Sequence, residues 1–124
     1  MHQGIHRKIF HNSKRIIFMD KRSIRKKLET EEVEQIIARY LAVVGRDVKI
    51  SDVFLFGSYA KGKAKTDSDI DLCVISPDFG KDEIEEGQYL LKKTIGIDSR
   101  LEPVGYSARA FAKEESPLIA EIKR

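Results

Sequence analysis

Two aspartates one residue apart, Asp69 and Asp71, are the side chains of this sequence best placed to do chemistry. They begin an apolar run through Ile75 that is typical of a buried strand, and alternate side chains of a strand share a face. Two carboxylates held side by side repel each other unless one is protonated or a cation lies between them. Oxygen ligands of this kind suit Mg²⁺, which shares its coordination shell with substrate phosphates. The pair therefore predicts a magnesium site that acts on a phosphate compound.

A Gly-Ser turn comes shortly before the aspartates. Gly57 and Ser58 follow the apolar run 53–56, and ten residues separate Ser58 from Asp69. Glycine lets a backbone approach a ligand closely, and the N–H groups at the start of a helix favour an anion. We therefore expect Ser58 to donate its hydroxyl to a terminal phosphate oxygen while the aspartates hold the metal on neighbouring oxygens.

Charge is unevenly distributed along the 124 residues, a length that predicts one domain. Residues 1–27 contain nine Lys or Arg against one acid, Asp20, so this arm carries a net +8 and residues 28–124 carry −5 of the total of +3. We expect the arm to be a mobile, solvated tail, with contact to a polyanion such as RNA as the alternative. Residues 28–124 are expected to form the globular domain.

Cys73 is the single cysteine, and it lies in the predicted strand of the aspartates. A buried free thiol and the lack of a long apolar segment near the N-terminus favour a reducing cytoplasm. No run of about eighteen apolar residues occurs, so we also expect no membrane span.

The periodicity of apolar residues predicts the helices and strands that position these groups. An apolar stripe from Val33 to Val44 predicts an amphipathic helix with Thr30 as its N-cap. Further helices are predicted at 58–61 and 82–94 and from Ser116-Pro117 onward, and strands at 50–56, 69–75 and 97–104. This order predicts an α/β fold with a small mixed β-sheet flanked by helices.

Gly57-Ser58 followed by Asp69-Ile70-Asp71 resembles the signature of the DNA polymerase beta-like nucleotidyltransferase superfamily, and the compact length resembles its minimal nucleotidyltransferases. The resemblance implies the polymerase beta-like fold and attack of a hydroxyl on the α-phosphate of a nucleoside triphosphate. Pyrophosphate would leave, and two Mg²⁺ ions would bridge the attacking and leaving oxygens. By the same resemblance Lys61 neutralises triphosphate charge, whereas Lys63 and Lys65 are expected to be simply solvated.

The implied mechanism needs a third carboxylate on the adjacent strand, to hold the second metal and help deprotonate the acceptor hydroxyl. Glu102 stands where the family usually has Asp, because the Pro-Val-Gly-Tyr-Ser segment after it resembles the family pattern. Asp98 is the rival, since it lies on the same face of the predicted strand. A purely structural alternative makes Glu102 an exposed acid paired with Arg100.

Two functions follow from these patterns. The first is a transferase of phosphorus-containing groups that moves a nucleoside monophosphate, expected to be AMP from ATP, onto a hydroxyl of a separate macromolecule. The resemblance implies a HEPN-type toxin modified on a tyrosine, which would make this chain the antitoxin. The alternative is a catalytically weak binding module that neutralises such a partner by occlusion. Nucleic acid as a substrate is not favoured, because handling a template needs more surface than this chain offers.

Overall fold

The computed structural model describes residues 6–11, 24–65 and 67–123, with side chains described from Glu31 onward. The helices and strands of these ranges are, in chain order, β1 (His6–His11), α1 (Ile24–Val44), β2 (Asp52–Phe56), α2 (Ser58–Lys61), β3 (Ile70–Ile75), α3 (Glu83–Lys92), β4 (Leu101–Tyr106), α4 (Ala108–Lys113) and α5 (Pro117–Lys123). The bounds of α2 agree with the prediction, and those of β3 and α3 differ from it by one or two residues. None of these helices is long and apolar enough to cross a membrane.

The four strands form one mixed sheet in the order β1-β2-β3-β4. β1 pairs with β2 and β2 with β3 in antiparallel fashion, whereas β3 and β4 are parallel. The chain passes through α3 between these last two strands, because parallel neighbours need a crossover connection. The predicted α/β fold with a small mixed sheet and flanking helices is confirmed.

Helices cover both faces of the sheet, and we name each face by its helices. The α1/α3 face is the larger core; its fully buried side chains include Ile37, Tyr40, Leu55, Leu72 and Leu90. On the α5 face, Ile122 packs in a second cluster with Phe56, Cys73 and Ile75. Because side chains of β3 alternate, Asp71 lies on the α5 face with Cys73.

α1 is longer than the sequence predicted. It begins at Ile24, and since it continues through Thr30, the prediction of Thr30 as its N-cap is wrong. The predicted stripe is confirmed, because all of its members are buried: Val33, Ile36, Ile37, Tyr40, Leu41 and Val44. α1 also crosses the expected boundary at residue 28, and β1 lies inside the expected basic arm. The division into arm and domain stays a prediction.

β4 begins at Leu101, so the prediction of a strand from Ile97 is wrong at its N-terminal end. In the segment before it, the Asp98 carboxylate accepts the backbone N–H of Arg100 at 2.8 Å. An aspartate that bonds the backbone two residues later favours a turn over a strand. Asp98 and Glu102 therefore do not share the strand face that their spacing predicted.

Candidate active site

The backbone turns sharply at Gly57, between β2 and α2. Gly57 has φ 77° and ψ −148°, a combination that is open essentially to glycine alone. Lys61 N then donates to Gly57 O at 3.1 Å, which closes the single turn of α2. Ser58 thus occupies the first helical position, where backbone N–H groups have no partner within the helix. In so short a helix the hydroxyl and these N–H groups, rather than a macrodipole, would hold an anion.

Gly57 is in direct contact with Asp71. A Cβ atom at position 57 would overlap Oδ2 of Asp71 and would lie 3.0 Å from its Cγ. The missing side chain therefore makes room for a carboxylate of the site itself, in addition to the ligand approach that the sequence suggested. Any larger residue at position 57 would have to displace Asp71.

Asp71 and Glu102 are neighbours across the parallel strands. The register of β3 and β4 pairs these two residues, and Phe56 of β2 is the partner of Asp71 on its other side. Because paired residues of adjacent strands point to the same face, both carboxylates lie on the α5 face. Asp69 is exposed immediately before β3 begins. The structure thus brings Asp71 and Glu102 side by side, with Asp69 two residues away along the chain.

The electrostatics around Asp71 are strongly negative. Its pKa is raised to about 6, first by burial and then by the charges of Asp69, Glu102 and Glu121. Glu121 comes from α5, and no sequence pattern predicted that it would lie here, because its approach depends on how α5 packs on the sheet. A cation near Asp71 would offset this repulsion, since an opposite charge favours the ionised carboxylate.

Asp98, the rival third carboxylate, is engaged elsewhere. Its two oxygens accept bonds from Nε and Nη2 of Arg100, each at 3.0 Å. These bonds hold the pKa of Asp98 below its usual range. We call this pair of bonds between Arg100 and Asp98 the fork. Nη1 of Arg100 also donates to the hydroxyl of Tyr59 in α2, at 3.5 Å. Arg100 therefore pairs with Asp98 rather than with Glu102, and the register favours Glu102 as the third acid.

Three exposed lysines lie at the end of α2 and in the loop after it. Lys61 ends α2, and the backbone N–H of Lys65 donates to Ser68 Oγ at 2.7 Å, which shapes the approach to Asp69. A contact between Lys61 and a nucleotide stays a prediction.

The donors around Asp71 are all oxygens, as Mg²⁺ prefers. Within residues 31–65 and 67–123, no group of three or more His, Cys, Asp or Glu side chains is arranged so that it could hold a metal ion. Mg²⁺ needs only one or two carboxylates where substrate phosphates and water complete its shell. Asp71 and an acidic neighbour fit this requirement for one or two protein carboxylates.

One comparison with known proteins identifies a family for this chain. A family model described as the nucleotidyltransferase domain matches residues 37–123, a range that contains every candidate site residue named above. Searches of curated proteins and of solved structures find no match. The minimal type of nucleotidyltransferase stays a prediction. Because the matched range covers more than half of the chain, from the middle of α1 through α5, this protein belongs to the nucleotidyltransferase domain family.

Proposed function

We propose that this protein moves a nucleoside monophosphate, AMP from ATP, onto a hydroxyl of a separate macromolecule. One observation carries the proposal: Asp71 lies beside Glu102 across the parallel strands and in contact with the glycine of the Gly57-Ser58 turn. Phosphoryl transfer depends mainly on positioning and on stabilisation of charge. Carboxylates and a turn that binds phosphate, close together in the fold, would position the nucleotide and stabilise its charge.

Each residue has a distinct role in the proposed reaction. Ser58 and the N–H groups of its turn bind a terminal phosphate, while Asp69, Asp71 and Glu102 would hold the two Mg²⁺ ions. Glu102 also accepts the proton of the acceptor hydroxyl as that oxygen bonds to the α-phosphorus and the bond to pyrophosphate breaks. When bound, Mg²⁺ supplies charge neutralisation at the phosphate oxygens. The family resemblance makes the tyrosine of a HEPN-type toxin the first acceptor to test.

Labelled ATP provides the direct test. With Mg²⁺ and a suitable acceptor, the wild-type protein is expected to give labelled acceptor and free pyrophosphate. Asp71→Asn is expected to lose both binding of Mg·ATP and transfer. Glu102→Gln is expected to retain measurable binding by calorimetry but to slow transfer by about 100-fold or more, the usual contribution of a general base. Glu83→Gln, which neutralises an exposed acid on α3, is the matched control and should change neither quantity.

Two results would overturn the proposal. One is a wild-type protein that takes up no Mg·NTP while its circular dichroism shows a folded domain. The other is transfer that proceeds at the wild-type rate in both Asp71→Asn and Glu102→Gln.

A second candidate function is a binding module that neutralises a toxin by occlusion. It is favoured by the third acid, because Glu102 is exposed and stands where the family resemblance would place an Asp. The double variant Asp69→Asn/Asp71→Asn separates the two functions in cells that express the toxin. Rescue by this variant would favour occlusion, whereas loss of rescue with an intact complex would favour the enzyme.

A further inference from the structure

α3 is apolar on two opposite sides, although it has only one side against the core. Leu90 is fully buried on the α1/α3 face of the sheet. Ile84, Leu91 and Ile95 are 76%, 57% and 78% exposed, and they are the exposed large apolar side chains of the described residues. A helix that is apolar on both sides is typically covered on both. We call these three residues the outer stripe.

The outer stripe follows one line along the helix. Successive helical residues are about 100° apart, so positions 84, 88 and 91 fall on one line. Ile95 extends that line through the turn after α3, where its N–H donates to Lys92 O at 3.2 Å. The stripe is about 16 Å long, with the exposed Gln88 near its centre. Its three apolar side chains share one side of the helix, whereas apolar residues scattered singly over a surface need no explanation.

Charges flank the outer stripe in a self-complementary way. Glu85 and Lys92 lie on the same side of it, one near each end of α3, and both are exposed. No ion pair to either side chain occurs within the part of the chain that the structure describes. When two identical helices pack antiparallel, the same flank of each faces the other. Glu85 of one copy would then lie opposite Lys92 of the second, and the reverse.

We propose that two copies of this protein associate through their outer stripes, with the α3 helices antiparallel about a two-fold axis close to Gln88. In this arrangement Ile84 of one copy lies between Leu91 and Ile95 of the other, and the two-fold axis repeats this contact with the two copies exchanged. Two Glu85–Lys92 ion pairs then flank the apolar contact. The charge pattern favours the antiparallel arrangement, because a parallel one would place the Glu85 and Lys92 flanks of the two copies on opposite sides of the contact and form no such pair.

Gly87 also favours the close approach of a second helix to α3. It lies beside the outer stripe, and a Cβ at this position would meet nothing within 4 Å in the monomer. Glycine inside a helix costs about 1 kcal/mol relative to alanine, so packing within one chain does not account for it. Without a side chain here, a second helix can lie nearer to the backbone of α3.

The association would leave the candidate active site open. Asp71 and Glu102 lie on the α5 face, whereas α3 covers the opposite face of the sheet. Both copies in a dimer would therefore bind nucleotide independently. Dimerisation and catalysis can be tested apart from one another.

Sedimentation velocity of the full chain over a concentration series tests the proposal. A helix of this length buries less than the roughly 800 Å² per partner of a standard interface, so we expect a dissociation constant of about 10–100 µM. Ile84→Glu is expected to give a monomer throughout the series, with the circular dichroism of the folded protein. Glu85→Lys and Lys92→Glu alone are each expected to weaken the dimer at least about tenfold, because each places like charges opposite one another.

A variant in which Glu85 and Lys92 exchange charges tests the antiparallel orientation of the two α3 helices. The double variant Glu85→Lys/Lys92→Glu is expected to restore the wild-type dissociation constant, whereas Glu83→Lys, the same charge change on the other flank, should leave it unchanged. A wild-type chain that stays monomeric up to about 1 mM would overturn the proposal and assign the outer stripe to a different partner. A double variant no better than its single variants would overturn the antiparallel arrangement.

Discussion

The carboxylate of Asp71 fills the space beside Cα of Gly57 that any other residue would need for its side chain. The Gly57-Ser58 turn and the acidic strand are therefore one packing unit. We expect a displacement of either to disturb the other, because a Cβ atom at position 57 would overlap the Asp71 carboxylate. A substitution of Gly57 therefore tests the whole candidate site.

Gly57→Ala is expected to lose affinity for Mg·ATP and stability together. The residue has a positive φ of 77°, and a new Cβ would collide with Asp71. Backbone strain of this kind costs about 1–3 kcal/mol. Calorimetry of nucleotide binding and urea unfolding measure the two effects.

Gly96→Ala is the matched control for Gly57→Ala. Gly96 also has a positive φ, of 84°, but a Cβ there would meet nothing within 4 Å. It should lower stability through backbone strain alone and leave nucleotide binding at the wild-type level. Equal binding by the two variants would contradict the role assigned to the Gly57–Asp71 contact.

Asp71 is expected to make stability depend on pH in an unusual direction for a carboxylate. Its pKa of about 6 in the folded protein lies above the value of about 3.9 in an unfolded chain. The folded state therefore binds the extra proton, and this contribution to stability is complete below about pH 4 and lost as the pH rises through about 6. Since Asp71 is only half-buried, solvent screening reduces the effect to roughly 1 kcal/mol.

Asp71→Asn should remove that pH dependence. Urea unfolding in metal-free buffer from about pH 4 to about pH 8 measures it as the difference between wild type and variant. The variant is expected to gain stability relative to wild type as the pH rises. If the stability of the two proteins changed with pH in the same way, the raised pKa of Asp71 in its acidic cluster would be contradicted.

Asp98→Asn is expected to destabilise the fold, with the opposite pH dependence. Asp98 and Arg100 are only 18% and 19% exposed, and their bond lowers the pKa of the carboxyl. Their interaction therefore stabilises the protein above the unfolded pKa and is lost as the pH falls. We expect a loss of about 1.5 kcal/mol near pH 7, the scale of a hydrogen bond to a charged group.

Glu114→Gln provides the comparison for Asp98→Asn. Glu114 pairs with Lys123 at 3.7 Å but is 50% exposed, so its loss should cost less than about 0.5 kcal/mol. Thermal unfolding of both variants at pH 7 gives the comparison. If Asp98→Asn costs no more than Glu114→Gln, the fork does not stabilise the start of β4.

A pair of glycine variants tests the packing of α3 on the sheet. A Cβ at Gly105 would lie 2.7 Å from side-chain atoms of both Leu90 and Phe79, so Gly105→Ala is expected to cost about 1–3 kcal/mol. Gly87→Ala adds the same methyl group to open space in a helix and should stabilise the monomer by about 1 kcal/mol. Thermal unfolding at low protein concentration measures both. Equal effects would contradict the packing of Gly105 against α3.

Several elements could be predicted from the sequence because they depend on local patterns. The bounds of α2 follow from the turn at Gly57, and the burial of the α1 stripe follows from its helical spacing. The prediction of a strand over residues 97–100 was wrong. It rested on their alternating apolar and polar residues, which is the pattern of a strand. A local bond between Asp98 and the backbone of Arg100 overrides that alternation.

Contacts between distant parts of the chain could not be predicted in the same way. β1 was missed because a strand at the edge of a sheet is defined by its pairing with β2, which no periodicity reports. The approach of Glu121 to Asp71 depends on the packing of Ile122 in the second core. The sequence favoured Glu102 over Asp98 as the third acid only through the family resemblance, because strand spacing alone put both residues on one face.

By itself the sequence determined which chemistry is available here: two alternate carboxylates on a strand after a Gly-Ser turn, since spacing along one strand decides which side chains share a face. Only the tertiary structure decided which groups meet. The parallel register of β3 and β4 places Glu102 beside Asp71, and the bend at Gly57 places the turn against that same carboxylate. Register is a property of two strands packed together, so no single stretch of sequence specifies it.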